Sequence, residues 1–327
     1  MWQMMAIMAI GSFMLAACTV EDNPVVGPDS SAKNYNERMV PVIDEESSFW
    51  ITLDNFKKEK RDEFMSICPE YTSIIVTKVE EGFMGDILGK QRTQKIGQGV
   101  KYYKEGSTAY CWFDSFMCDD SGWRKFYKGE GSKPTVQDYP NDWLIALIDA
   151  LEKANADPKV KNFVLDISTN GGGSSDVVLF ITSIICNKAD MYYENTLTGQ
   201  KIKTTYEVDR NLDGKFDEKD AEVKYNLNFA VLTSASSFSC GNMLPALLKD
   251  YGIPLFGKQT GGGSCCVLYN PSADGFAYRY STHRARLTDL KGENIDAGIK
   301  PTYELEYDDF FNLPKITQLI ESYYQSK

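Results

Sequence analysis

A run of serines between an apolar segment and a helical pattern has the clearest capacity for chemistry. Residues 229–233 are short and apolar, as in a buried strand, and residues 241–251 form a helical pattern that Gly252 would end. Ser239 comes just before this helix, where free N–H groups and the helix dipole stabilise a developing anion. The alternative is that Ser239 is only a helix cap, the commonest use of serine at such a position.

A glycine run follows another apolar segment. Residues 163–167 have the composition of a strand buried on both faces, and three glycines follow at 171–173. Without Cβ atoms, consecutive glycines let backbone N–H groups turn toward a ligand. The spacing does not fit P-loop or dinucleotide-binding loops. By itself the run is consistent with a ligand-binding loop or with a simple turn.

A third segment, residues 209–220, matches the calcium-loop template. Acidic and amide residues recur at the ligand positions, Gly214 stands at the sharp turn and Phe216 at the usual apolar position. The predicted ligands are the side chains of Asp209, Asn211, Asp213, Asp217 and Asp220 and the carbonyl of Lys215. The alternative is a solvated acidic hairpin tip. Because the segment lies in an insertion, residues 191–225, we expect the calcium ion to be structural.

The elements around these segments alternate between strands and helices. Residues 108–116 have a strand pattern rich in aromatic residues, and residues 141–154 form an amphipathic helix with Asn141 or Asp142 as its cap. Another helix, residues 175–186, follows the glycine run. This alternation predicts an α/β core with largely parallel strands.

In this order the segments resemble the S41 family of serine peptidases, the tail-specific or C-terminal-processing proteases. Residues 164–173 resemble the family's L-D-L-R-N-N-x-G-G element, and residues 231–243 its strand-to-helix turn. Residues 256–264 resemble the glycine loop after the next strand. Residues 294–305 resemble the closing element, although Thr302 replaces its final Asp.

The resemblance implies a fold and a division of the chain. The fold is α/β, an S41 catalytic core of ClpP/crotonase-like β/α layers with a small N-terminal region. The predicted S41 peptidase-like domain covers residues 107–327 and contains the calcium-loop insertion. Residues 41–106 form the small N-terminal region.

The resemblance also implies roles for individual residues. It places the nucleophile at Ser239 and the two oxyanion-binding N–H groups at Gly172 and Cys240. Many tail-specific proteases carry their general-base lysine where this chain has Gly263, and Lys258 comes too early in the loop to replace it.

Other branches of the family use a Ser–His arrangement in which the histidine precedes the glycine loop, and this chain has no histidine there. His283, the only histidine in the chain, is the candidate base. The alternative is that His283 is a surface residue on a polar strand face.

The implied function is a serine-type peptidase that hydrolyses peptide or protein substrates through an acyl-enzyme at Ser239. One alternative is a catalytically lapsed S41-like lipoprotein that binds peptides or partners, and a base within reach of Ser239 separates the two. Another is a carbohydrate-binding surface lipoprotein, consistent with the 13% aromatic content but supported by no motif.

The N-terminal residues predict export and lipid attachment. Residues 4–17 are nearly all apolar and lead into Cys18 in a context that resembles the bacterial lipobox, although no Lys or Arg precedes it. Residues 1–17 are therefore the expected signal peptide, Cys18 the lipidated residue and residues 18–40 a flexible tether. Glu21 and the following Asp resemble the export tag of surface lipoproteins of Bacteroidetes-type bacteria. We expect a lipid-anchored protein of the cell envelope, at the outer membrane.

Charge and cysteine content exclude two other classes. A formal net charge of −11 without a basic run argues against nucleic-acid binding, which needs clustered Lys and Arg. Of the 8 cysteines, those other than Cys18 contain no C-x-x-C pair, which argues against a zinc framework. Export permits disulfides, and buried free thiols are the alternative.

Overall fold

The computed structural model describes residues 51–52, 99–118, 120–140, 142–271 and 277–327. The side chains of residues 51, 52, 120 and 265–284 are also outside the description. The predicted signal peptide, Cys18, the tether and nearly all of the N-terminal region 41–106 lie outside the described residues. In the described part of the chain, no helix is both long and apolar enough to cross a membrane.

The described elements alternate along the chain as expected. The strands are β1 (Ile51–Thr52), β2 (Val100–Glu105), β3 (Thr108–Phe113), β4 (Asn162–Asp166), β5 (Asp190–Asn195), β6 (Gln200–Thr205), β7 (Asn228–Thr233), β8 (Leu255–Gly257), β9 (Cys265–Pro271), β10 (Ala277–Leu287) and β11 (Tyr303–Glu304). The α-helices are α1 (Asp120–Tyr127), α2 (Trp143–Ala156), α3 (Ser175–Cys186), α4 (Cys240–Asp250) and α5 (Leu313–Gln325). Short 3-10 helices cover Glu218–Glu222 and Tyr307–Phe311.

The chain divides into two compact units that interleave along the sequence. Of the described residues, those within 99–191, 203–262 and 298–327 belong to the larger unit, and residues 51–52, 192–202 and those within 263–297 belong to the smaller unit. In the smaller unit β10 pairs antiparallel with β1, with β9 and with the end of β5. The predicted domain boundary at residue 107 does not follow this division and stays a prediction.

A six-stranded sheet forms the centre of the larger unit. Its order is β11-β8-β7-β4-β3-β2, and every neighbouring pair is parallel except β3 and β2. Parallel strands need helical crossovers that cover both faces of the sheet, which explains the fully buried sequence of β4. The predicted α/β class with largely parallel strands is confirmed.

Alternate residues of the sheet pack against helices on opposite faces. Val164 and Phe256 join Ile316 and Ile320 of α5 in one core cluster. On the other face, Phe163 lines a small apolar cavity with residues of α2 and α3. The sheet is therefore held between helical layers, and its parallel strands end at a common edge.

Local capping fixes where two of the helices begin. The Asp142 carboxylate accepts a hydrogen bond from the Ile145 N–H at 3.0 Å, so α2 starts where one of the two predicted caps stands. The other oxygen of Asp142 accepts from the indole N–H of Trp123 at 2.8 Å, which ties α1 to the start of α2. Ser174 caps α3 through the Asp176 N–H. The loops between strands and helices are thereby held at the carboxyl edge of the sheet.

Candidate active site

Ser239 occupies a strained turn between β7 and α4. Its backbone has φ 57° and ψ −117°, a conformation that residues with a Cβ rarely adopt and that costs on the order of 1–3 kcal/mol. Hydrogen bonds fix it on both sides: its N–H donates to the Gly262 carbonyl at 2.9 Å, and its carbonyl accepts from the Asn242 and Met243 N–H groups. The Ser239 side chain makes no capping bond to the helix, so the helix-cap alternative does not describe it.

The other serines of this turn have structural contacts. The Ser237 hydroxyl donates to the Ile167 carbonyl at 2.8 Å and accepts from the Ser234 N–H, while the Ser234 hydroxyl donates to the Ser168 carbonyl. Both side chains are buried. These serines join the turn of residues 234–239 to the end of β4. Sequence reasoning missed this role, although the serine-rich composition was its signal.

The glycine loop after β4 lies directly against Ser239. A Cβ atom placed on Gly172 would lie 2.7 Å from the Ser239 Cβ and 3.2 Å from its Oγ. Gly241 is equally close to the loop, since a Cβ there would lie 2.5 Å from the Asn170 carbonyl oxygen. The structure therefore brings together Ser239, Gly172 and Cys240, three of the four residues predicted for the catalytic site.

Asn170 links the two loops and was not singled out from the sequence. Its buried side chain accepts from the Gly172 N–H at 2.9 Å and donates to the Phe113 carbonyl at 3.2 Å. Its backbone carbonyl accepts from the Phe238 N–H at 3.0 Å. The Asn in the N-G-G-G sequence was the available signal, but its bonding depends on how the loop folds back.

The thiol beside Ser239 is not a second nucleophile. Cys240 is buried, and its Sγ donates to the Gly173 carbonyl at 3.1 Å. Burial raises the pKa of this thiol to about 12. Because the reactive form of cysteine is the thiolate, the Cys240 thiol stays inert at neutral pH. The predicted role of its backbone N–H stays a prediction.

Lys258 is engaged in ion pairs. Its Nζ lies 3.0 Å from a Glu304 carboxylate oxygen and 3.7 Å from one of Glu306, and 5.5 Å from the centre of the Tyr307 ring. The hydrogen bond to Glu304 is the main cause that raises the pKa of Lys258. A lysine base needs a strongly lowered pKa. This environment agrees with the expectation that Lys258 is not the base.

The base itself stays a prediction. His283 belongs to β10 in the smaller unit, and its side chain is outside the described part of the structure. Within the described residues, no group accepts a hydrogen bond from the Ser239 hydroxyl.

The predicted calcium loop folds around its first and last carboxylates. Asp209 accepts from the N–H groups of Asp213 and Gly214, and Asp220 accepts from those of Arg210 and Asp217. Asp209 and Asp220 are both buried. Desolvation raises the pKa of Asp209. The first and last carboxylates of the predicted loop are therefore held in its interior by hydrogen bonds from the loop backbone.

The described geometry of this loop is only partly consistent with a metal site. Across the described residues, no three His, Cys, Asp or Glu side chains are gathered as ready metal ligands. The oxygens of Asp209 and Asp220 are bonded to backbone N–H groups instead, although a carboxylate has lone pairs for a second partner. Tyr127 of α1 stacks on Phe216 of the loop, with ring centres 5.7 Å apart, and hydrogen-bonds to Asp209. Calcium binding stays a prediction.

The comparisons with known proteins identify the family. The model of peptidase family S41 matches residues 135–305, which are 171 of the 327 residues and more than half of the chain. The chain therefore belongs to peptidase family S41. No curated protein matches it in sequence.

Solved structures with a similar fold are distant in sequence. A protein from Parabacteroides merdae, described as a presumed peptidase, has a TM-score of 0.51 at 14% identity, with 89% of each chain covered. A lipoprotein from Streptococcus agalactiae has a TM-score of 0.48 at 14% identity, covering 90% of this chain and 97% of that one. The photosystem II D1 C-terminal processing protease has a TM-score of 0.43 at 17% identity, covering 64% of this chain and 49% of that one. At such identities the first match shows a shared fold alone.

A substitution at Gly172 tests whether the contact between the glycine loop and Ser239 is needed for the reactivity of this serine. Gly172→Ala must displace Ser239, because the new Cβ would overlap its Cβ and the Gly172 φ of +109° disfavours any side chain. A displacement of about 1 Å costs on the order of 100-fold in rate. We expect the rate at which a fluorophosphonate labels Ser239 to fall by about that factor.

Gly129→Ala is the matched control. Gly129 also has a positive φ, +71°, but a Cβ there meets no atom within 4 Å. We expect this variant to lose about 1 kcal/mol in urea unfolding and to label at the wild-type rate. Labelling of Gly172→Ala at the wild-type rate would show that the close contact between Gly172 and Ser239 is not needed for the reactivity of Ser239.

Proposed function

We propose that the protein is a serine peptidase of the S41 family that hydrolyses peptide bonds through an acyl-enzyme at Ser239. The observation that carries the proposal is the half-buried Ser239 hydroxyl, which has no hydrogen-bond partner among the described residues and lies at the start of α4. A reactive serine needs anion-stabilising N–H groups beside its hydroxyl and a base that takes its proton, and the Ser239 hydroxyl, unbonded within the described residues, is open to such a base.

The proposed reaction has two halves. In the first, a base takes the proton of the Ser239 hydroxyl while Oγ bonds to the peptide carbonyl carbon, and the carbonyl electrons move onto oxygen. The oxyanion collapses, the C–N bond breaks, and the amine leaves with the proton. In the second half, water repeats the sequence on the acyl-enzyme and releases the acid and Ser239.

The substrate class follows from the family. S41 membership supports a peptide or protein substrate, whereas tail specificity rests on the sequence resemblance. The alternative is a catalytically lapsed S41 domain that binds peptides without cleaving them. The missing Ser–Lys dyad favours this alternative unless His283 or another group supplies the base.

Labelling separates the enzyme from the lapsed domain. We expect a fluorophosphonate probe to modify the wild-type chain once, and Ser239→Ala to remove all labelling. Ser175→Ala, which deletes a nearby half-buried hydroxyl at the start of α3, serves as the control and should label normally. Mass spectrometry of the labelled peptide gives the position. An unlabelled wild type, together with no cleavage of a broad peptide library in calcium, would favour the binding domain.

The pH dependence of labelling tests the base. The base must be neutral to accept the serine proton, so the rate rises as pH increases through its pKa. For His283 we expect that rise near pH 6.5 if its pKa is unperturbed, and loss of the rise in His283→Ala.

Lys258→Ala should label at the wild-type rate, because the Glu304 contact raises the pKa of Lys258 and keeps the lysine protonated. A rise in the labelling rate that occurs only at alkaline pH and is lost in Lys258→Ala would instead identify Lys258 as the base.

We further propose that the loop of residues 209–220 binds one calcium ion through Asp209, Asn211, Asp213, Asp217, Asp220 and the Lys215 carbonyl. The oxygen-only donor set suits Ca²⁺, and carboxylates crowded into one loop repel each other without a cation. The contact of Tyr127 with Phe216 supports a structural role, since it joins the loop to α1.

Calorimetry tests the calcium proposal. We expect uptake of one Ca²⁺ per chain, and a gain of about 2.7 kcal/mol in unfolding free energy at 100 times the dissociation constant. Asp209→Ala combined with Asp213→Ala should abolish both effects. Glu218→Gln, which removes an exposed charge of the same segment outside the ligand positions, should retain them. Uptake that is absent, or unchanged in the double variant, would contradict the proposal.

We also propose that the protein is a lipid-anchored lipoprotein of the cell envelope. The apolar start, the small residues before Cys18 and the polar segment after it support this location. An exported protein whose Cys18 carries no acyl chain would contradict it.

A further inference from the structure

A concave pocket lies at the end of α3 that is remote from the glycine loop. Its volume is about 210 Å³, and its lining comes from the C-terminal end of α3 and from the insertion, within residues 183–189, 206–210 and 216–221. All of these residues belong to the larger unit. The glycine loop leads into the other end of α3, a helix about 18 Å long. The pocket is therefore separate from the candidate active site.

The guanidinium of Arg210 lines this pocket without an anionic partner. Arg210 is half-buried, and within the described residues its side chain donates one hydrogen bond, to the Ser183 carbonyl at 3.4 Å, and forms no ion pair with a carboxylate. A cation that has lost part of its water is normally paired, and the planar fork of a guanidinium fits a carboxylate. The environment of Arg210 therefore favours a ligand with a carboxylate group.

A purely structural role for Arg210 is the alternative explanation. The Ser183 carbonyl lies in the last turn of α3, where a cation is favourable, and it already accepts from the Asn187 N–H at 3.0 Å. One long bond to this carbonyl leaves most N–H groups of the guanidinium without an acceptor. The end of α3 thus explains the position of Arg210 but not what its other N–H groups bind.

The other charged side chains of the lining restrict the ligand. Lys188 adds a second cation, and Glu207 and Asp217 add two exposed carboxylates. A third carboxylate, that of Asp220, accepts backbone N–H groups at both oxygens, from Arg210 at 2.6 Å and from Asp217 at 3.0 Å. The lining therefore carries both signs of charge. Such a lining disfavours a polyanion such as phosphate and favours a ligand with one charge of each sign.

The size and the apolar part of the pocket restrict the ligand further. A volume of 210 Å³ has room for about seven water molecules at about 30 Å³ each, which is the size of a free amino acid. Ala189, Val208 and Phe216 supply apolar side chains to the lining. These features suit a small ligand with a short apolar side chain.

We propose that this pocket binds a small zwitterion, a free amino acid with an apolar side chain, through its carboxylate on Arg210 and its ammonium group beside Glu207. Asp217 is left to the proposed calcium site. Phe216 and Val208 contact the apolar side chain of the ligand. This binding does not involve Ser239 and lies outside the proposed peptidase activity.

Titration calorimetry of the full chain with L-leucine, in buffer that contains calcium, tests the proposal. We expect one leucine to bind per chain at millimolar concentration. Isocaproate, which lacks the ammonium group, and isopentylamine, which lacks the carboxylate, should each bind about tenfold more weakly or less. Arg210→Lys should weaken leucine binding about tenfold, because lysine is a point charge without the fork. Lys224→Gln, which removes an exposed cation of the insertion outside the pocket, should bind leucine as the wild type does.

Two further variants locate the ligand. Glu207→Gln should weaken leucine about tenfold without weakening isocaproate, since leucine alone of the two carries an ammonium group. Ala221→Trp, which adds a large side chain at an exposed position of the lining and keeps Arg210, should abolish binding of both.

Three results would overturn the proposal: no leucine binding by the wild type, leucine binding unchanged in both Arg210→Lys and Ala221→Trp, or phosphate that binds more tightly than leucine. Ser239→Ala should bind leucine normally, so that failure of the pocket and failure of the proposed peptidase are read separately.

Discussion

The close approach of the glycine loop, residues 171–173, to the turn of residues 234–239 is the contact on which the rest of the candidate site depends. Gly172 lies where any side chain would overlap Ser239, and Gly241 lies where any side chain would overlap the carbonyl of Asn170. Two glycines, one on each side, therefore allow two backbone segments to touch. This contact holds the backbone of the two segments and the Ser239 hydroxyl at fixed separations, and the proposed reaction would require such a fixed geometry to stabilise its transition state.

The backbone strain at Ser239 follows from the same contact. A left-handed φ at a non-glycine residue persists only when its surroundings determine it. Here bonds to the Gly262 carbonyl, to the first turn of α4 and, through Ser234 and Ser237, to the end of β4 fix the turn from three directions. Ser234 and Ser237 therefore act as a scaffold for the turn, whereas the Ser239 hydroxyl has no hydrogen-bond partner among the described residues.

Much of the fold and part of the site were predictable from the sequence. Buried strands read as unbroken apolar runs, and helix caps such as Asp142 have local signatures, so the α/β core and the start of α2 could be predicted. The proximity of Ser239 to the glycine loop followed from parallel strands, whose carboxyl ends share one edge. The bond between Asn170 and Gly172 could not be predicted, because the direction of a side-chain amide depends on the path of the folded loop. Nor could the interleaving of the two units, which depends on contacts distant in sequence.

The large sequence separation between α5 and the strands that it covers affects how this protein folds. The C-terminal segment supplies α5, whose Thr317 bonds with Tyr110 and whose Glu321 accepts from Ser107, across separations of 207 and 214 residues. The core cluster between α5 and the sheet therefore closes only after α5, residues 313–325, has been synthesised. Contacts of such long sequence separation slow folding, because the entropy of closing a large loop is lost before the contacts form. During synthesis, the apolar residues of β3 and β4 that α5 covers stay exposed until α5 has been made, and such exposed apolar surface makes an incompletely folded chain prone to aggregation.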